Sequence, residues 1–414
     1  MVQGFWQKRI DVAFISFEES LKILDAISIK EKETIELDTV EALGFVLAQD
    51  IAAQENSPAS PTSAMDGYAL AFEDMQHGKL KVLGDNPAGQ ETETILKHGT
   101  CIKTFTGSLM PKGTDTLIPI ENVEYKDGYI DIKKEVPRGF SVREVGEHYA
   151  KGELLLKHGS LIDFIQIGLL ASLNIAKVKV YAKPKIGVLS SGSELLELGE
   201  EQTSKAQIRS SNHYILEAIV KKYGGTPTNY GCMRDDKSII AHAISKALSE
   251  NSIVVTTGGV SVGDYDFVKD VVKELGFEVL FHGVMIKPGQ HIMLAQKEDQ
   301  FILALPGFAY SATVTALLYL LPLMAKFTSK KMQLKEVTAT LQEPFSKKSS
   351  NKSEFSACNV VIIDGRYYCN FSGKKEGSSA ILTNLLSPSS ALLYTNPHEP
   401  PKDSGEPVQV LLFD

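Results

Sequence analysis

Three short segments near the middle of the chain place glycines, hydroxyls and carboxylates at the ends of apolar runs. Ser190-Ser191-Gly192-Ser193-Glu194 follows the run Ile186–Leu189. Its N–H groups and hydroxyls can hold a phosphate at a helix N-terminus, or it is an ordinary strand–helix turn capped by Ser193. Glu194 is then either a first-turn carboxylate favoured by the helix dipole or a metal ligand. The second segment runs from Thr256 to Asp266. Gly258, Gly259 and Gly263 permit close backbone approach to a bulky anion, while Thr256, Thr257 and Ser261 supply donors. Asp264 and Asp266 would repel a bare phosphate, but suit Mg²⁺ or hydrogen bonds to a heterocyclic ring. A long flexible connector is the plainer reading, made less natural by so many glycines and hydroxyls. The third segment is Lys287-Pro288-Gly289-Gln290-His291. Lys287 is either a phosphate partner or a solvated loop lysine, the commoner fate of a single lysine.

Leu305-Pro306-Gly307-Phe308 signals only a tight turn between a strand and an apolar helix. Ser63–Ala69 and Thr106-Gly107-Ser108 have no place in a core pattern, and Asp66-Gly67 reads by itself as a turn. There is no HExxH, no GxxxxGK[ST] and no GxGxxG, and the histidines are scattered. A zinc site or a histidine-based triad therefore has little support.

The surrounding patterns say what must position these segments. Lys185–Asp270 alternates strands (Ile186–Leu189, Tyr230–Met233, Ile253–Thr257) with helices (Glu194–Leu198, Ser211–Tyr223, Lys237–Leu248). Helix Tyr265–Leu275, strands Phe277–Phe281 and Phe301–Leu305 and helix Ser311–Met324 continue the pattern. This predicts an α/β domain with a largely parallel sheet, whose ligands sit beyond the carboxyl ends of its strands. Upstream, Ser16 and Glu19 have capping-box spacing ahead of the oily face Phe17, Leu21, Leu24 and Ile27. A second helical pattern covers Thr39–Ala48. Between about Ile51 and Glu147 short apolar runs split by Gly, Pro and Asp-Gly predict a β-rich unit, with a hairpin turn at Lys126–Tyr129. A helix over Ile162–Leu173 is expected to pack back on the N-terminal helices, which makes the β unit an insertion. After Phe327, runs at Glu336–Leu341, Val360–Ile363, Tyr367–Phe371, Ala391–Tyr394 and Val408–Phe413 predict a small barrel or sandwich, with Ser346–Ser353 as a polar loop.

The totals bound the function classes. The 414 residues suffice for several domains, and 43% hydrophobic with 23% charged residues is the make-up of an ordinary globular protein. A net charge of -8, without a basic tail, argues against nucleic-acid binding. An anionic ligand must then be met by local donors or a metal. Cys101, Cys232, Cys358 and Cys369 form no CxxC pair, which suits reduced thiols in the cytoplasm. Met1–Phe14 is interrupted by Lys8, Arg9 and Asp11, so no signal-peptide core is expected. Ala312–Ala325 reads as a buried helix rather than a membrane span.

In this order the motifs SAMDGYA (Ser63–Ala69), TGSLMPKGTD (Thr106–Asp115), VREVGE (Val142–Glu147), KPKIGVLSSGSEL (Lys183–Leu195), TTGGVSVGDYD (Thr256–Asp266), KPG (Lys287–Gly289) and LPG (Leu305–Gly307) resemble the molybdopterin molybdenumtransferase family. This is the family of bacterial MoeA and the animal gephyrin E-domain. The resemblance runs from Ile15 onward. It implies α/β plus β architecture: a discontinuous N-terminal domain (15–50 and 148–182), an inserted β-rich domain (51–147), an α/β molybdopterin-binding domain with a parallel sheet (183–328) and a C-terminal β-barrel (329–414). It implies an elongated homodimer with a cleft between the α/β domain of one subunit and the N-terminal region of the other. The implied reaction consumes adenylylated molybdopterin and molybdate with Mg²⁺ and yields molybdenum cofactor and AMP. Partners would include molybdopterin adenylyltransferase and apo-molybdoenzymes, with no nucleic acid and no membrane.

Carried over residue by residue, the resemblance assigns catalysis to Asp66, Glu194 and Asp266. It assigns molybdopterin and phosphate binding to Thr106, Ser190, Ser191, Gly192, Gly258, Gly259, Ser261, Gly263, Lys287 and Pro306, and metal binding to Asp235, Asp236 and Asp266. The chain also departs from the family pattern. His148 and Ser193 stand where Asp is usual, Gly283 and Gln290 where lysines are usual, Phe308-Ala309 where Asn-Pro is usual, and Pro61-Thr62 where Asp-Asn is usual. Two rivals follow: a molybdopterin-binding scaffold or divergent paralogue without transferase activity, and the related adenylyltransferase, which usually lacks the flanking domains. The retained carboxylates favour an enzyme; the missing lysines favour the binder.

Overall fold

The computed structural model describes residues 14–91, 93–259, 267–330, 332–375 and 381–413. The chain forms two compact units, one of residues 1–48, 159–164 and 177–414 and the other of residues 49–158 and 165–176.

The centre of the larger unit is a six-stranded sheet in the order Thr226–Met233, Lys185–Ser191, Ile253–Thr257, Gln300–Leu305, Met293–Lys297, Glu278–His282. The first four strands are parallel. The last two are antiparallel. The sheet is largely parallel, as expected, with an antiparallel edge built on Met293–Lys297, a strand the sequence pattern did not single out. Ile253–Thr257 is buried at every position, as a central strand covered on both faces must be.

Two helical expectations fail. Thr39–Ala48 is not a helix: after a 3₁₀ turn at Thr39–Glu41, Gly44 takes φ +81° and Val46–Leu47 pairs with Val180 and Tyr181. Glu194–Leu198 is not a helix either, because Leu195–Leu196 pairs in parallel with Ile208–Arg209. Both segments carry apolar pairs that gain more as strand partners than in an isolated short helix, whose nucleation is costly.

Helix Phe17–Ala26 starts where expected, with Ser16 Oγ accepting from Glu19 N at 3.0 Å. Its Leu24 is buried with Ile186, Leu216 and Met324 in the core of the α/β sheet. The helix Phe164–Ser172, expected to meet the N-terminal helices, falls for the most part in the smaller unit. Strand Lys177–Tyr181 instead returns to the N-terminal segment, pairing with Thr34–Asp38.

The apolar helix near the end of the larger unit runs from Ala309 to Thr328, with mean hydropathy 1.3 over an 18-residue stretch that is 72% buried. It is the core helix expected, and Tyr319 within it is fully buried. Pro322 does not break it because Ala316–Leu320 widens to a π-turn just before, and the proline falls in the first turn of the next α segment. After it, Ser353–Ile363, Arg366–Asn370, Lys335–Leu341, Pro407–Leu412 and Ser390–Thr395 close into a barrel, since Ser353–Ile363 also pairs with Ser390–Thr395.

The smaller unit holds another six-stranded sheet, over Gly67–Leu70, Lys79–Asn86, Thr100–Thr104, Thr116–Pro119, Val123–Lys126 and Tyr129–Ile132. Its hairpin turns as expected at Asp127-Gly128, both with positive φ.

Candidate functional site

The strand order of the α/β sheet creates one place where neighbouring connections diverge. From Lys185–Ser191 the chain goes first to Thr226–Met233 on one side and then returns to Ile253–Thr257 on the other. Ligands in such sheets bind in the crevice left between those two carboxyl ends. Ser190, Ser191, Gly192, Thr257, Gly258 and Gly259 all lie there, with Ser190 Oγ 2.8 Å from Thr257 Oγ1. A Cβ on Gly258 would come 2.5 Å from Ser191 O, at a φ of +85°. One on Gly259 would come 3.0 Å from Ser191 Oγ. Only glycine allows the two strand ends to approach this closely.

The hydroxyls of Ser191 and Thr256 are buried without a partner. An unpaired buried hydroxyl is costly, and both of these lie close to the Gly258-Gly259 turn. Asn212 ties in the turn at Pro306-Gly307, its Nδ2 donating to Gly307 O at 2.7 Å and to Thr257 Oγ1 at 3.3 Å. Ser261, Gly263, Asp264 and Asp266, together with the start of the helix expected over Tyr265–Leu275, lie outside the described residues; the helix described is Val268–Glu274.

Because Glu194 follows a turn into a strand, it is not a first-turn carboxylate, and no helix dipole holds an anion at Ser190–Ser193. What holds the segment is a reciprocal pair. Ser193 N donates to Asp235 Oδ2 at 3.0 Å, and Asp235 N donates to Ser193 Oγ at 3.1 Å. The exposed carboxylate of Glu194 folds over Gly192, where a Cβ would sit 2.9 Å from both its oxygens. Asp236 serves as a helix N-cap, accepting from Ser238 N and Ile239 N at 2.8 and 3.0 Å. The Ser238 hydroxyl, and then the Ile239 and Ser238 backbone N–H groups, hold its carboxyl below the usual range.

A network that the sequence reading missed lies beneath these loops. His213 is fully buried, with Nδ1 3.0 Å from Ser210 Oγ and 3.3 Å from Ser190 Oγ, and Nε2 3.2 Å from Glu197 Oε2. Burial opposes the charge of Glu197, but hydrogen bonds from Tyr214 OH and Cys232 N outweigh it and hold the carboxyl below its usual range. Burial pushes the Cys232 thiol up to about 11. These residues join four strand ends, and only the tertiary fold signals them.

The corner at Lys287 also changes in three dimensions. Ile286–Lys287 pairs with Ser353–Glu354 of the barrel, and Lys287 Nζ lies 3.3 Å from the buried Glu354 carboxylate. Lys347 Nζ is 3.9 Å from the other oxygen of Glu354, and Lys352 Nζ donates to Gln290 Oε1. Lys287 is therefore not the sole cation there; the barrel supplies two more. The KPG turn lies against the LPG turn, a Cβ on Gly289 being 3.6 Å from Pro306 Cγ. Gly283 has no room for a side chain, because the Phe14 ring would lie 2.1 Å from its Cβ.

In the smaller unit, Asp66 and Thr106 come together across 40 residues. Asp66 Oδ1 accepts from Thr106 N at 2.8 Å and Thr106 Oγ1 at 2.7 Å. These bonds, the hydroxyl first, hold the exposed carboxyl below the ordinary range. Gly67 is required because a Cβ would meet Ile118 O at 2.3 Å. Asp66-Gly67 is thus more than a turn: it anchors a carboxylate to the neighbouring strand's exit.

Residues 15–174 match the family described as MoeA N-terminal region (domain I and II), and residues 187–326 match the probable molybdopterin binding domain. A molybdopterin molybdenumtransferase of Haemophilus influenzae is 33% identical over 353 residues, 84% of each chain. One from a Nostoc species is 29% identical over 391 residues, 92% of this chain and 89% of that one. The crystal structure of the molybdopterin biosynthesis MoeA protein of Pyrococcus horikoshii covers 97% of this chain and all of its own, with a TM-score of 0.82 and 29% identity.

Two outcomes are expected from these contacts. Gly258→Ala should cost at least ~1 kcal/mol, the scale of a left-handed strain, and should show as a lower Tm; an unchanged Tm would mean that the loop does not need glycine there. Thr106→Val should raise the Asp66 carboxyl toward its ordinary value, read by NMR titration. The sign follows from linkage: a depressed folded value adds stability above the unfolded pKa, about 3.9, and loses it as pH falls through the folded one. An Asp66 titration identical in the variant would dissociate the two residues.

Proposed function

This chain belongs to the molybdopterin molybdenumtransferase family, and from that premise we propose that it moves molybdenum from molybdate to adenylylated molybdopterin, releasing AMP. It is a transferase of molybdenum cofactor biosynthesis. The observation that carries the finer reading is the switch-point crevice, where unpartnered Ser191 and Thr256 hydroxyls flank a glycine backbone and the Glu194–Asp235 carboxylates stand alongside. Hydroxyls and backbone N–H groups bind the phosphates of the pterin nucleotide. The lysines at residues 287, 347 and 352 lie about the KPG turn and suit an oxyanion. Asn212 holds the 257 and 307 loops in register so that substrate meets a fixed surface.

Mg²⁺ fits this donor set. Glu194 and Asp235 offer carboxylate oxygens with room for substrate phosphate, as a hard cation that keeps few protein ligands prefers. Asp236 contributes less readily, since one of its oxygens is already committed to the helix cap. When bound, the ion would offset phosphate charge at the scissile phosphoanhydride and ease departure of AMP. Asp66, held by Thr106 in the smaller unit, is another carboxylate retained from the family pattern. Asp266 belongs with it by the same resemblance.

We also propose a homodimer. Val40, Leu43 and Phe164 are 79%, 57% and 70% exposed. They flank two segments joined by the bond from Gly44 N to Ile162 O. Exposed apolar groups gathered in this way mark an interaction surface. All four cysteines are free, which supports a reducing, cytoplasmic setting.

The deciding experiment supplies purified adenylylated molybdopterin, Mg²⁺ and molybdate and follows AMP release together with cofactor formation. Glu194→Ala should abolish both with the fold intact, since exposed substitutions usually stay within about 0.5 kcal/mol; normal turnover would return Glu194 to a local role. Binding of pterin nucleotide without AMP release would favour the scaffold reading. Lys287→Ala should weaken pterin binding, by up to about ten- to hundred-fold if it loses a charge-assisted bond worth roughly 1.5–3 kcal/mol. With Lys347 and Lys352 at the same corner, Lys352→Ala should deepen that loss, and unchanged affinity in the double variant would empty the corner of function. Sedimentation should give a dimer that Val40→Glu with Phe164→Glu dissociates; a fully active wild-type monomer would overturn it.

A further inference from the structure

Beneath the switch-point crevice, one carboxylate oxygen of Glu197, one ring nitrogen of His213 and Sγ of Cys232 lie within 4.8 Å of one another. Three separate segments deliver them. His213 is the second residue of helix Asn212–Lys222 and is fully buried. Glu197 follows strand Leu195–Leu196, and its side chain is 32% exposed, so the cluster opens to solvent on that side. Cys232 owes its place to a bulge. Val188 pairs with Asn229 but Ser190 pairs with Cys232, so the edge strand carries one extra residue. Gly231 absorbs it with φ +76°, and a Cβ there would stand 2.8 Å from Glu197 Oε1. Bulges of this kind re-aim side chains. This one brings Cys232 N to 2.6 Å from Glu197 Oε1 and Cys232 Sγ to 3.8 Å from His213 Nδ1.

The chemistry of the donors separates three readings. Thiol, imidazole and carboxylate in sequence have the make-up of a nucleophilic triad, but burial pushes the thiol up, and a neutral thiol is a poor nucleophile. A purely structural network has no need of sulfur. Ser210 Oγ already meets His213 Nδ1 at 3.0 Å, and Tyr214 OH donates to Glu197 Oε2 at 2.9 Å. A metal ion uses all three side chains, because it displaces the thiol proton outright. In a tetrahedral zinc site, bonds of about 2.0–2.3 Å set the ligand atoms roughly 3.3–3.6 Å apart. His213 Nε2 and Glu197 Oε2 at 3.2 Å, and His213 Nδ1 and Cys232 Sγ at 3.8 Å, bracket that spacing. Either ring nitrogen serves: the other keeps its bond to Ser210 or to Glu197 and fixes the ring, as the outer partner of a ligating histidine does.

We propose that Glu197, His213 and Cys232 form a site for one zinc ion, with a fourth position open to water or to the Ser190 hydroxyl. Thiolate and imidazole select such a borderline cation over Mg²⁺, which prefers oxygen throughout. The site therefore differs in chemistry from the Glu194–Asp235 pair, where Mg²⁺ is proposed. Its ligands come from the ends of strands Leu195–Leu196 and Thr226–Met233 and from the helix that carries Asn212, so the ion braces the floor of the crevice.

The test is titration of the metal-free full chain with Co²⁺ and Zn²⁺. A thiolate-to-cobalt absorption band should appear and saturate at one ion per chain. The cysteines at 101, 358 and 369 are fully buried, so the band reports Cys232. Zn²⁺ should displace Co²⁺, and excess Mg²⁺ should not. Cys232→Ser should abolish the band and weaken Zn²⁺ binding on the order of tenfold or more, the scale on which metal sites lose affinity. Glu197→Gln should keep the band and weaken Zn²⁺ to a similar degree. Glu194→Ala, at the crevice, should leave the band and the Zn²⁺ affinity unchanged. With a chelator present Cys232→Ser should melt close to the wild type, and Zn²⁺ should raise Tm in the wild type alone. No band at saturating Co²⁺, or a band that survives in Cys232→Ser, overturns the proposal and leaves a polar network. Zn²⁺ binding lost in Glu194→Ala but kept in Cys232→Ser also overturns it, and puts the ion in the crevice. None of these readouts involves pterin or molybdate, so the transferase reading stands or falls separately.

Discussion

The close approach of Gly258 to Ser191 is the constraint on which the site depends. At 2.5 Å between a hypothetical Cβ and a carbonyl oxygen, no side chain fits. That contact lets two parallel strand ends converge, with the Ser190 and Thr257 hydroxyls in hydrogen-bond reach. With a bulkier residue the strands would splay, and the buried Ser191 hydroxyl would open to water. Strand order supplies the crevice, and glycine permits its narrow neck.

Around that neck the protein uses buried polar bonds to hold what backbone regularity no longer holds. Asn212 bridges the loops after two strands, and His213 joins Ser190 to Glu197. Both sit in the first turn of one helix, so one rigid element steadies three loops at once. Buried hydrogen bonds of this kind contribute modestly when made but are costly to break, which favours a single arrangement of the crevice. Ser193 belongs to the same scheme: in place of the family's usual carboxylate it forms a reciprocal pair with Asp235, exchanging a charge for a fixed turn.

Cation placement follows a similar logic at the KPG turn. Gly283 cannot carry a lysine because Phe14 covers it, and Gln290 has none to offer. The barrel instead brings Lys347 and Lys352 there, while the buried Glu354 keeps the cluster from being uniformly positive. Positive charge at the corner is thus shared between distant segments, and the chain's overall negative charge does not decide what the corner binds.

Much of the architecture was written in local pattern. The Ser16 cap, the Asp127-Gly128 hairpin, the buried helix after Leu305 and the β-branched strand ending in Gly258-Gly259 each rest on neighbours in sequence, and each appears where its residues put it. The ordered motifs likewise sufficed for the family. Local pattern misled where a short apolar pair could serve either period: Leu195–Leu196 and Val46–Leu47 became strands because partners at Ile208–Arg209 and Lys177–Tyr181 were waiting. Tertiary structure alone decided which side chains meet. Ser193 finds Asp235 42 residues away, Ser190 finds Thr257 after 67, and Lys352 finds Gln290 after 62. Such pairings depend on sheet order and barrel closure, which are set by the burial of whole elements and leave no mark at the individual residues they bring together.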